Sequence, residues 1–325
     1  MAPPVSAGGA VVFWVVSSAP TYHVPVLADT VRDWAAGSRR AVDATLGGGG
    51  HAAILVAAGA DVLGIDRDPA AITAARAHLA DRSVQYIAAP YGAPEALGAV
   101  RAFRPDRIFL DLGISSYQVD TADRGFTFRP GAPLDMRMTP GEGPSARDVL
   151  NSWPEERLAA AFADYGDERR ARPLAQEIVR RRLTGAFAVS DDFVNAIRAK
   201  LGPRSGPQDF ARLFQALRIA VNDELGQLSA ALPVFRDALV PGGRLGVITY
   251  HSGEDRIVKH EFREWARECV CPPRQPICTC RGRALGRVLT KKPIVADAAE
   301  VAGNVRARSA QFRAFETAGG TPGEN

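Results

Sequence analysis

The stretch Asp43-Ala44-Thr45-Leu46-Gly47-Gly48-Gly49-Gly50-His51 joins an apolar segment to a helical one. Glycines let a backbone pass close beneath a ligand, and the N-terminus of the following helix offers unpaired N–H groups. The next apolar segment ends in Asp66, 19 positions after Gly47. A carboxylate at this spacing typically accepts hydrogen bonds from both hydroxyls of an adenosine ribose. The stretch therefore predicts a strand, a ligand-binding loop and a helix.

Two cofactors satisfy this pattern, a dinucleotide and S-adenosylmethionine. Gly47, Gly49 and Ala52 match the permissive G-x-G-x-x-G/A motif, so the motif alone does not separate them, and a tight turn without a ligand is a third alternative. Asp43 favours S-adenosylmethionine. A carboxylate at the end of the first strand suits the ammonium group of its methionine part and would repel a pyrophosphate.

Short apolar segments alternate with helical ones along the first third of the chain. Strands are predicted at residues 41–46, 61–66, 83–88 and 107–112, with helices between them. One of these helices is predicted to start at Asp68-Pro69, with Asp68 as the cap, and another to span 94–103. This alternation is typical of βαβ units and predicts an α/β fold with a parallel, doubly wound sheet. Ligands bind beyond the carboxyl ends of such strands. The residues that we expect in the same crevice are Tyr91, Asp111, Ser115, Ser116 and Gln118.

The alternation stops after the fourth strand. A loop rich in Gly, Pro, Arg and Asp precedes amphipathic helices at 154–165, 169–183 and 191–201. A largely helical stretch at 209–239, a strong strand at 244–250, a helix at 254–268 and a β-like run at 309–315 follow. We therefore predict one sheet domain in two pieces, 21–124 and 209–318, with an inserted helical substrate-recognition domain at 125–208. Residues 1–20 are expected to form an N-terminal extension and residues 319–325 a flexible tail.

The composition is that of a globular protein, with 46% hydrophobic and 23% charged residues among 325. The net charge is +4, and only four of the 40 basic residues are lysines, a bias that coding composition or phosphate recognition by arginine explains. The apolar run at 11–16 is too short to span a membrane. It also lacks the basic residue that precedes the apolar region of a signal peptide. All four cysteines lie in one short window, which argues against a secreted disulfide scaffold and predicts a cytoplasmic protein without membrane contact.

Longer motifs of the chain resemble one known family, the bacterial small-subunit rRNA (cytosine-N4) methyltransferases, also called the RsmH or MraW family. The similarity spans roughly residues 21–316. Its motifs are His23-Val24-Pro25-Val26-Leu27, the loop 43–51, Gly64-Ile65-Asp66-Arg67-Asp68-Pro69, Asp111-Leu112-Gly113-Ile114-Ser115-Ser116, Asp123-Arg124-Gly125-Phe126, Pro133-Leu134-Asp135-Met136-Arg137-Met138, Phe214-Gln215-Ala216-Leu217-Arg218-Ile219, Tyr250-His251-Ser252, Glu254-Asp255-Arg256-Ile257-Val258-Lys259 and Arg306-Ala307-Arg308-Ser309.

The resemblance implies a class I (Rossmann-like) methyltransferase sheet interrupted by a helical domain. It implies methyl transfer from S-adenosylmethionine to the exocyclic N4 of a cytidine in the decoding region of 16S rRNA within the small ribosomal subunit. The cofactor-binding residues that it implies are Gly49, Gly50, His51, Asp66, Tyr91, Asp111 and Gln118. One departure is Gly253, where the family usually has Leu, and glycine loosens the turn at this position.

The cytosine N4 amine is a poor nucleophile because its lone pair is delocalised into the ring. Acceptors that hold the two amine hydrogens can turn the lone pair toward the methyl group. The first candidates are Asp111, Ser115 and Ser116, and the second group is Tyr250, His251 and Ser252. Asp111 serves equally well as a residue that only binds the cofactor.

Two related chemistries fit less well. Methylation at C5 of cytosine needs a cysteine nucleophile, and all four cysteines lie at 269–280, away from the predicted strand ends. DNA amino-methyltransferases typically carry an acid-Pro-Pro-aromatic run after the fourth strand, whereas this chain has Asp-Leu-Gly-Ile from Asp111.

Two alternatives from other function classes remain. One is an NAD-dependent oxidoreductase, and the other is an RNA-binding ribosome-assembly factor that keeps the cofactor fold without catalysis.

The cysteines form two C-x-C pairs, Cys269 with Cys271 and Cys278 with Cys280. Four thiolates at this spacing could bind one Zn²⁺ ion, although the C-x-C spacing is tighter than the usual C-x₂₋₄-C. Free thiols or an oxidisable pair in a surface loop are the alternative. The sequence analysis therefore predicts no metal site, and zinc bound by these four cysteines is the less favoured alternative.

A basic segment without acidic residues follows the cysteines. The residues that we predict to bind RNA phosphates are Arg281, Arg283, Arg287, Lys291, Lys292, Arg306 and Arg308. The sequence does not determine the oligomeric state, and a homodimer is one alternative.

Overall fold

A central sheet organises the fold in the computed structural model, which describes residues 25–80, 83–114, 121–272, 274–275 and 277–319. Eight strands belong to it among these residues. They are β1 (Arg40–Asp43), β2 (Asp61–Asp66), β3 (Val84–Ala88), β4 (Arg107–Asp111), β5 (Arg244–Thr249), β6 (Gly286–Val288), β7 (Ile294–Val295) and β8 (Gln311–Thr317). Their order is β3-β2-β1-β4-β5-β8-β6, with β7 paired to β8.

The first five strands run parallel, and β8 runs antiparallel to β5. The apolar sequences of β4 and β5 explain their central position, since strands covered on both faces are apolar almost throughout. The order reverses between β1 and β4, which opens a crevice at the carboxyl ends of the strands. The predicted α/β fold with a doubly wound sheet is confirmed.

Twelve α-helices connect the strands in the described part of the chain. Those that follow the alternation are α1 (Ala28–Ala35), α2 (Gly50–Ala57), α3 (Pro69–His78) and α4 (Pro94–Phe103). The helices between β4 and β5 are α5 (Ala146–Ser152), α6 (Glu155–Gly166), α7 (Ala171–Arg182), α8 (Ser190–Leu201), α9 (Pro207–Asn222) and α10 (Glu224–Ala238). The last two are α11 (Ser252–Ala266) and α12 (Ala298–Gly303).

Helices cover both faces of the sheet. On one face, α4, α10 and α11 pack on side chains such as Ile108 and Leu110. On the other, α1, α2 and α3 pack on Phe109 and its neighbours. Successive side chains of β4 therefore point to opposite cores, as the two-residue period of a strand requires.

A third core lies among α5 to α9. Phe162, Phe193 and Phe214 stack within it, with ring centroids 5.7 and 5.1 Å apart along the series. Helix α9 contributes Phe210 and Leu213 to this core, so the helical core extends past residue 208. Asp223, with φ near +50°, ends α9 and starts α10 in a new direction. The division into domains stays a prediction.

The sequence analysis missed α1, α5, α12, β6 and β7. The two strands are three and two residues long, too short for a periodic pattern. Helix α5 had a detectable signal, since Ser145 and Asp148 form a reciprocal capping box at its start. None of the helices in the described residues is both long and apolar enough to cross a bilayer.

Candidate active site

A crevice of about 1240 Å³ lies beyond the carboxyl ends of β1, β2, β4 and β5. One wall is the glycine loop between β1 and α2, and the opposite wall comes from α9, α10 and the start of α11. The sequence-predicted residues along it are Gly47, Gly50, His51, Asp66, Tyr91, Asp111, His251 and Arg306. Residues far apart in the sequence thus meet where a doubly wound sheet binds its ligand.

The glycine loop requires glycine for two physical reasons. Gly47 and Gly49 have φ of +51° and +84°, a conformation that side chains strongly disfavour. A Cβ on Gly49 would lie 2.9 Å from Leu79 Cδ1, and one on Gly50 would lie 2.9 Å from Pro25 Cγ. The loop can therefore turn tightly into α2 and pack against α3, with Gly47 and Gly50 along the crevice and Gly49 behind it.

Asp66 holds this loop in place. Its Oδ2 accepts a hydrogen bond from Gly47 N at 2.8 Å, and its Oδ1 accepts one from Asp68 N at 2.8 Å. Burial raises the pKa of Asp66 to about 6, against these two hydrogen bonds, which lower it. Each oxygen keeps a further lone pair, so the carboxylate is fixed in position and can still accept from a ligand hydroxyl.

Asp43 lies beneath the crevice and is absent from its lining. Its side chain is buried, Oδ1 accepts from Thr45 N at 3.2 Å, and Oδ2 has no hydrogen-bond partner among the described residues. Burial raises the pKa of this carboxyl to about 7, although nearby His51 lowers it. A buried acid of this kind favours a positive charge in the crevice above it.

Asp111 is the centre of a hydrogen-bonded network at the end of β4. Its Oδ1 accepts a hydrogen bond from Tyr250 Oη at 2.7 Å, and its Oδ2 lies 3.5 Å from His51 Nδ1. Burial raises the pKa of Asp111, while His51 and Tyr250 act in the opposite direction. Burial and the Asp111 charge both raise the pKa of Tyr250, so the phenol stays a hydrogen-bond donor.

His51 bridges the glycine loop and this network. Its Nε2 lies 2.8 Å from Val26 O, and its ring packs on Phe109 with centroids 4.7 Å apart. Because Val26 O can only accept, Nε2 is the donor of this contact, and Nδ1 faces Asp111. His51 therefore links the glycine loop to Asp111 while it lines the crevice.

His251 occupies the N-cap of α11. Its Nδ1 accepts from Glu254 N at 3.4 Å, and its Nε2 lies 3.2 Å from Glu254 Oε1. Glu254, which is 2% exposed, also accepts a hydrogen bond from Tyr250 N at 2.8 Å. The sequence analysis assigned no role to this buried carboxylate, although the motif that begins at Glu254 was a visible signal.

The helical wall supplies a second group that sequence reasoning missed. Arg218 donates from Nε and a terminal nitrogen to both oxygens of Glu224, at 2.8 and 2.9 Å, and both side chains are nearly buried. The Asn222 amide donates to Met136 O and accepts from Met138 N, both at 2.8 Å. The Asn222 bonds join α9 to the loop before α5, and the Arg218–Glu224 pair joins α9 to the start of α10. Their only sequence signal was the family motif around Arg218.

Tyr91 lines the crevice beside α10. Its ring lies against Phe235, with centroids 6.3 Å apart, and burial raises the pKa of its hydroxyl. An aromatic ring in this position can pack on a flat apolar group such as a purine. Three predicted site residues, Ser115, Ser116 and Gln118, lie outside the described residues, as do His23 and Val24 of the first motif.

The predicted RNA-binding residues do not form one patch. Arg287 pairs with Glu316 opposite the start of β5, at the end of the sheet away from the crevice, and Arg281 and Arg283 lie in the loop before it. Lys291 and Lys292 are exposed between β6 and β7. Arg306 lines the crevice, and the exposed Arg308 follows it. The basic residues thus run along the outer edge of the sheet toward the crevice.

Comparison with known proteins identifies relatives that match this chain over most of its length. Two similar chains are both named Ribosomal RNA small subunit methyltransferase H. The protein from Gemmatimonas aurantiaca is 54% identical over 312 residues, 93% of this chain and 99% of that protein. The protein from Heliobacterium modesticaldum is 45% identical over 311 residues, 91% of this chain and 98% of that protein.

Among solved structures, a chain described as an rRNA methylase from Streptococcus thermophilus aligns with a TM-score of 0.39 and 10% identity. The alignment covers 90% of this chain and 93% of that chain, and at this similarity it adds nothing to the sheet order.

The model of the MraW methylase family matches residues 20–318, which is most of the chain. This match confirms the resemblance stated from the motifs, the methyltransferase class and S-adenosylmethionine as the methyl donor of that class. The chain belongs to the MraW methylase family.

Proposed function

We propose that this methylase transfers a methyl group from S-adenosylmethionine to the exocyclic N4 of a cytidine in the decoding region of 16S rRNA, in the cytoplasm. The observation that carries the proposal is one crevice in which the Asp66-held glycine loop faces the Asp111–Tyr250 pair. Its volume of about 1240 Å³ exceeds the roughly 300–1,000 Å³ typical of small-ligand sites. The crevice therefore has room for a cofactor and an extruded nucleoside together.

The chain's own groups fit the donor. Asp66 offers lone pairs to the two ribose hydroxyls, and the glycine loop with His51 lines the path of the methionine part. The buried charge of Asp43 favours the ammonium group, and Tyr91 offers a flat surface to the adenine. Gln118 completes the proposed set. When bound, the sulfonium supplies an electrophilic methyl group at the carboxyl ends of β1 and β4.

Asp111 is the proposed acceptor for an N4 hydrogen of the cytidine. A carboxylate that holds this hydrogen turns the nitrogen lone pair toward the methyl group, and the product then loses the proton to a nearby base. The raised pKa of Asp111 makes the carboxylate a better base than an exposed aspartate. Tyr250 and His51 are positioning residues that fix it, and Ser115 and Ser116 are further proposed acceptors.

His251 and Glu254 delimit the other side of the proposed nucleoside position. His251 caps α11 through Nδ1 and its Nε2 faces the Glu254 carboxylate, so the proposed role of this pair is to form one wall of the nucleoside position. All four cysteines lie in the loop between α11 and β6, at the other end of the sheet. A cysteine nucleophile, which C5 methylation requires, is therefore not available in the crevice.

The proposed RNA path runs along the outer edge of the sheet. Arg306 and Arg308 lie at the crevice end. Lys291 lines a smaller cavity of about 320 Å³ with Lys259 and Arg263. Arginine and lysine side chains of this kind bind RNA phosphates electrostatically. Raising the salt concentration should therefore weaken RNA binding in proportion to the number of phosphates neutralised. The small-subunit rRNA as substrate is supported by the names of the relatives.

Radiolabelled methyl transfer tests the proposal. Purified protein is incubated with labelled S-adenosylmethionine and with 30S subunits, naked 16S rRNA or DNA, and the labelled nucleoside is then identified. N4-methylcytidine from 30S subunits is the expected product. A 5-methylcytidine or methyladenosine product would overturn the proposed acceptor atom. RNA binding without methyl transfer would favour the assembly-factor alternative.

A further inference from the structure

The loop between α11 and β6 brings all four cysteines together. Their Sγ atoms lie within 4.8 Å of one another. The separations are 3.5 Å for Cys278–Cys280, 3.7 Å for Cys271–Cys278, and 3.9 Å for Cys269 with both Cys278 and Cys280. Thiols from two separate C-x-C pairs thus face one common point.

We propose that Cys269, Cys271, Cys278 and Cys280 bind one structural Zn²⁺ ion. Four thiolates about 2.3 Å from a tetrahedral zinc ion are about 3.8 Å from one another, which matches the four separations above. A disulfide would need one pair at about 2.05 Å. An iron–sulfur cluster places several iron and sulfide ions between its cysteines and needs a wider set of thiolates.

The tight C-x-C spacing, which counted against zinc in the sequence, is compatible with this geometry. The two sulfurs of Cys278 and Cys280 lie 3.5 Å apart, close to one edge of the tetrahedron. The sulfurs of Cys269 and Cys271 lie within 4.8 Å of each other, so the second pair also reaches the common point.

The loop has little else to stabilise it. Cys269 and Cys278 are exposed, and Ile277 at the tip is 75% exposed. Tertiary hydrogen bonds concentrate at the neck, where Leu285 N donates to Trp265 O at 2.8 Å and Arg281 donates to Arg267 O at 2.9 Å. A segment that buries so little apolar surface typically depends on a disulfide or a metal for a defined structure.

The surroundings of the thiols suit bound metal. Val270 N donates to Cys280 Sγ at 3.3 Å, a contact of the kind that orients and stabilises metal-bound thiolates. Four thiolates and one Zn²⁺ ion carry a net charge of −2. Arg267 interacts electrostatically with Cys269 and Cys280, and Arg281 at the neck adds a second positive charge.

All four coordination positions would be filled by protein, which is the arrangement of a structural zinc site rather than a catalytic one. The ion would fix the loop that carries Arg281 and Arg283 and leads into the edge strand β6. The loop follows the C-terminus of α11, whereas the crevice lies at its N-terminus. The zinc site is therefore separate from the methyl-transfer site and does not depend on its substrate.

Metal content is the first test. The full-length protein, purified under reducing conditions with zinc present, is analysed by native mass spectrometry and elemental analysis. One zinc per chain is expected, with loss of zinc in Cys278→Ser/Cys280→Ser and full retention in the matched loop variant Thr279→Ser. Replacement by Co²⁺ should produce the intense visible absorption of a tetrahedral thiolate complex. A zinc-free mass with four free thiols, a disulfide or iron in place of zinc would overturn the proposal.

Limited proteolysis tests whether the metal supports the loop. Arg274 and Arg283 are exposed, so trypsin should cleave there at least tenfold faster after a chelator removes the zinc. The affinity for S-adenosylhomocysteine should change less than twofold in the same samples. Equal cleavage rates with and without metal would contradict a structural role, as would a zinc content that Thr279→Ser lowers as much as the cysteine variant does.

Discussion

The two ends of the central sheet achieve their structure by different means. At the carboxyl end, the buried strands of the sheet hold Asp43, Asp66 and Asp111 in place, and burial raises the pKa of all three. At the other end, the loop between α11 and β6, here called the cysteine loop, exposes Cys269, Cys278 and Ile277, and none of its four cysteines is buried. Packing of the sheet therefore preforms the crevice, whereas the proposed binding of a metal ion by four thiols orders the loop.

This contrast has an energetic side. The carboxylates at the crevice cost stability because desolvation disfavours their charged forms, and a bound ligand can offset that cost. The cysteine loop buries no charged group, so it carries no such desolvation cost. It becomes ordered only if its four thiols bind one metal ion. Changes at one end should therefore leave the other end unaffected.

Asp111→Asn should have the largest effect. Loss of the carboxylate removes the proposed acceptor and base, so kcat should fall by about 10²–10⁴, the usual contribution of general acid–base catalysis. The affinity for S-adenosylhomocysteine, measured by calorimetry, should change only a few fold. Tyr250→Phe, which removes one hydrogen bond to Asp111, is the graded control and should lower kcat less. A large loss of affinity with kcat preserved would assign Asp111 to cofactor binding alone.

Arg218→Met should have the next largest effect, this time on folding. The substitution leaves Glu224 buried without its partner, and removal of one member of a buried ion pair typically costs about 3–5 kcal/mol. Urea unfolding measures the change. Arg32→Met, which breaks an exposed pair with Asp29, is the matched control and should cost less than about 1 kcal/mol. Similar losses in both variants would mean that burial of the Arg218 pair is unimportant.

Asp43→Asn should stabilise the protein without cofactor at pH 8. Burial holds the pKa of Asp43 at about 7, above its ordinary value of 3.8, so the folded protein loses stability as pH rises between these values. At about 1.4 kcal/mol per pH unit, a neutral Asn should raise the unfolding free energy at pH 8 by roughly 2–4 kcal/mol.

The gain from Asp43→Asn should vanish near pH 4, where both proteins are neutral at this position. The variant should bind S-adenosylhomocysteine more weakly than the parent. Its affinity should also lack the rise through pH 7 that we expect for the parent. Thermal unfolding and calorimetry at both pH values measure these effects. A variant with parental affinity at pH 8 would separate Asp43 from the cofactor.

Gly253→Ala should have the smallest effect. A Cβ here would lie 3.2 Å from Leu225 Cδ1 and from His251 Nδ1, so these neighbours must shift slightly. Alanine near the start of α11 gains about 0.5–1 kcal/mol in helix propensity, which offsets the crowding. We expect a change in unfolding free energy within about 1 kcal/mol and kcat within threefold. A larger loss of activity would show that this turn needs glycine.

Much of the sheet was predictable because local signals agree with it. The strand 61–66 and the helix 94–103 were placed with the observed bounds, and Asp68 caps α3 as its Asp-Pro sequence predicted. The three helices predicted in the insertion were found to within two residues, whereas α5 was missed. The split at Asp223 was not, because a single left-handed residue between two helical stretches leaves no periodic signal.

The crevice was only partly foreseeable. Gly47, Asp66, Tyr91 and Asp111 could be grouped because the carboxyl ends of parallel strands meet at one edge. Glu254 and Arg218 could not, because their motifs reveal neither the burial of the two side chains nor their position along the crevice. Asp43 illustrates a further limit, since its place beneath the crevice rather than along it depends on the packing of β1.

The sequence by itself determined the alternation of strands and helices, the glycine loop and the family, since these depend on local spacing and on ordered motifs. Only the tertiary structure decided which side chains meet. It placed Tyr250 on Asp111, separated the arginines at 281–287 from the crevice, and brought four thiols to within 4.8 Å. The physical reason is that hydrogen bonds and burial depend on distances in space, which chain closure fixes and sequence spacing does not.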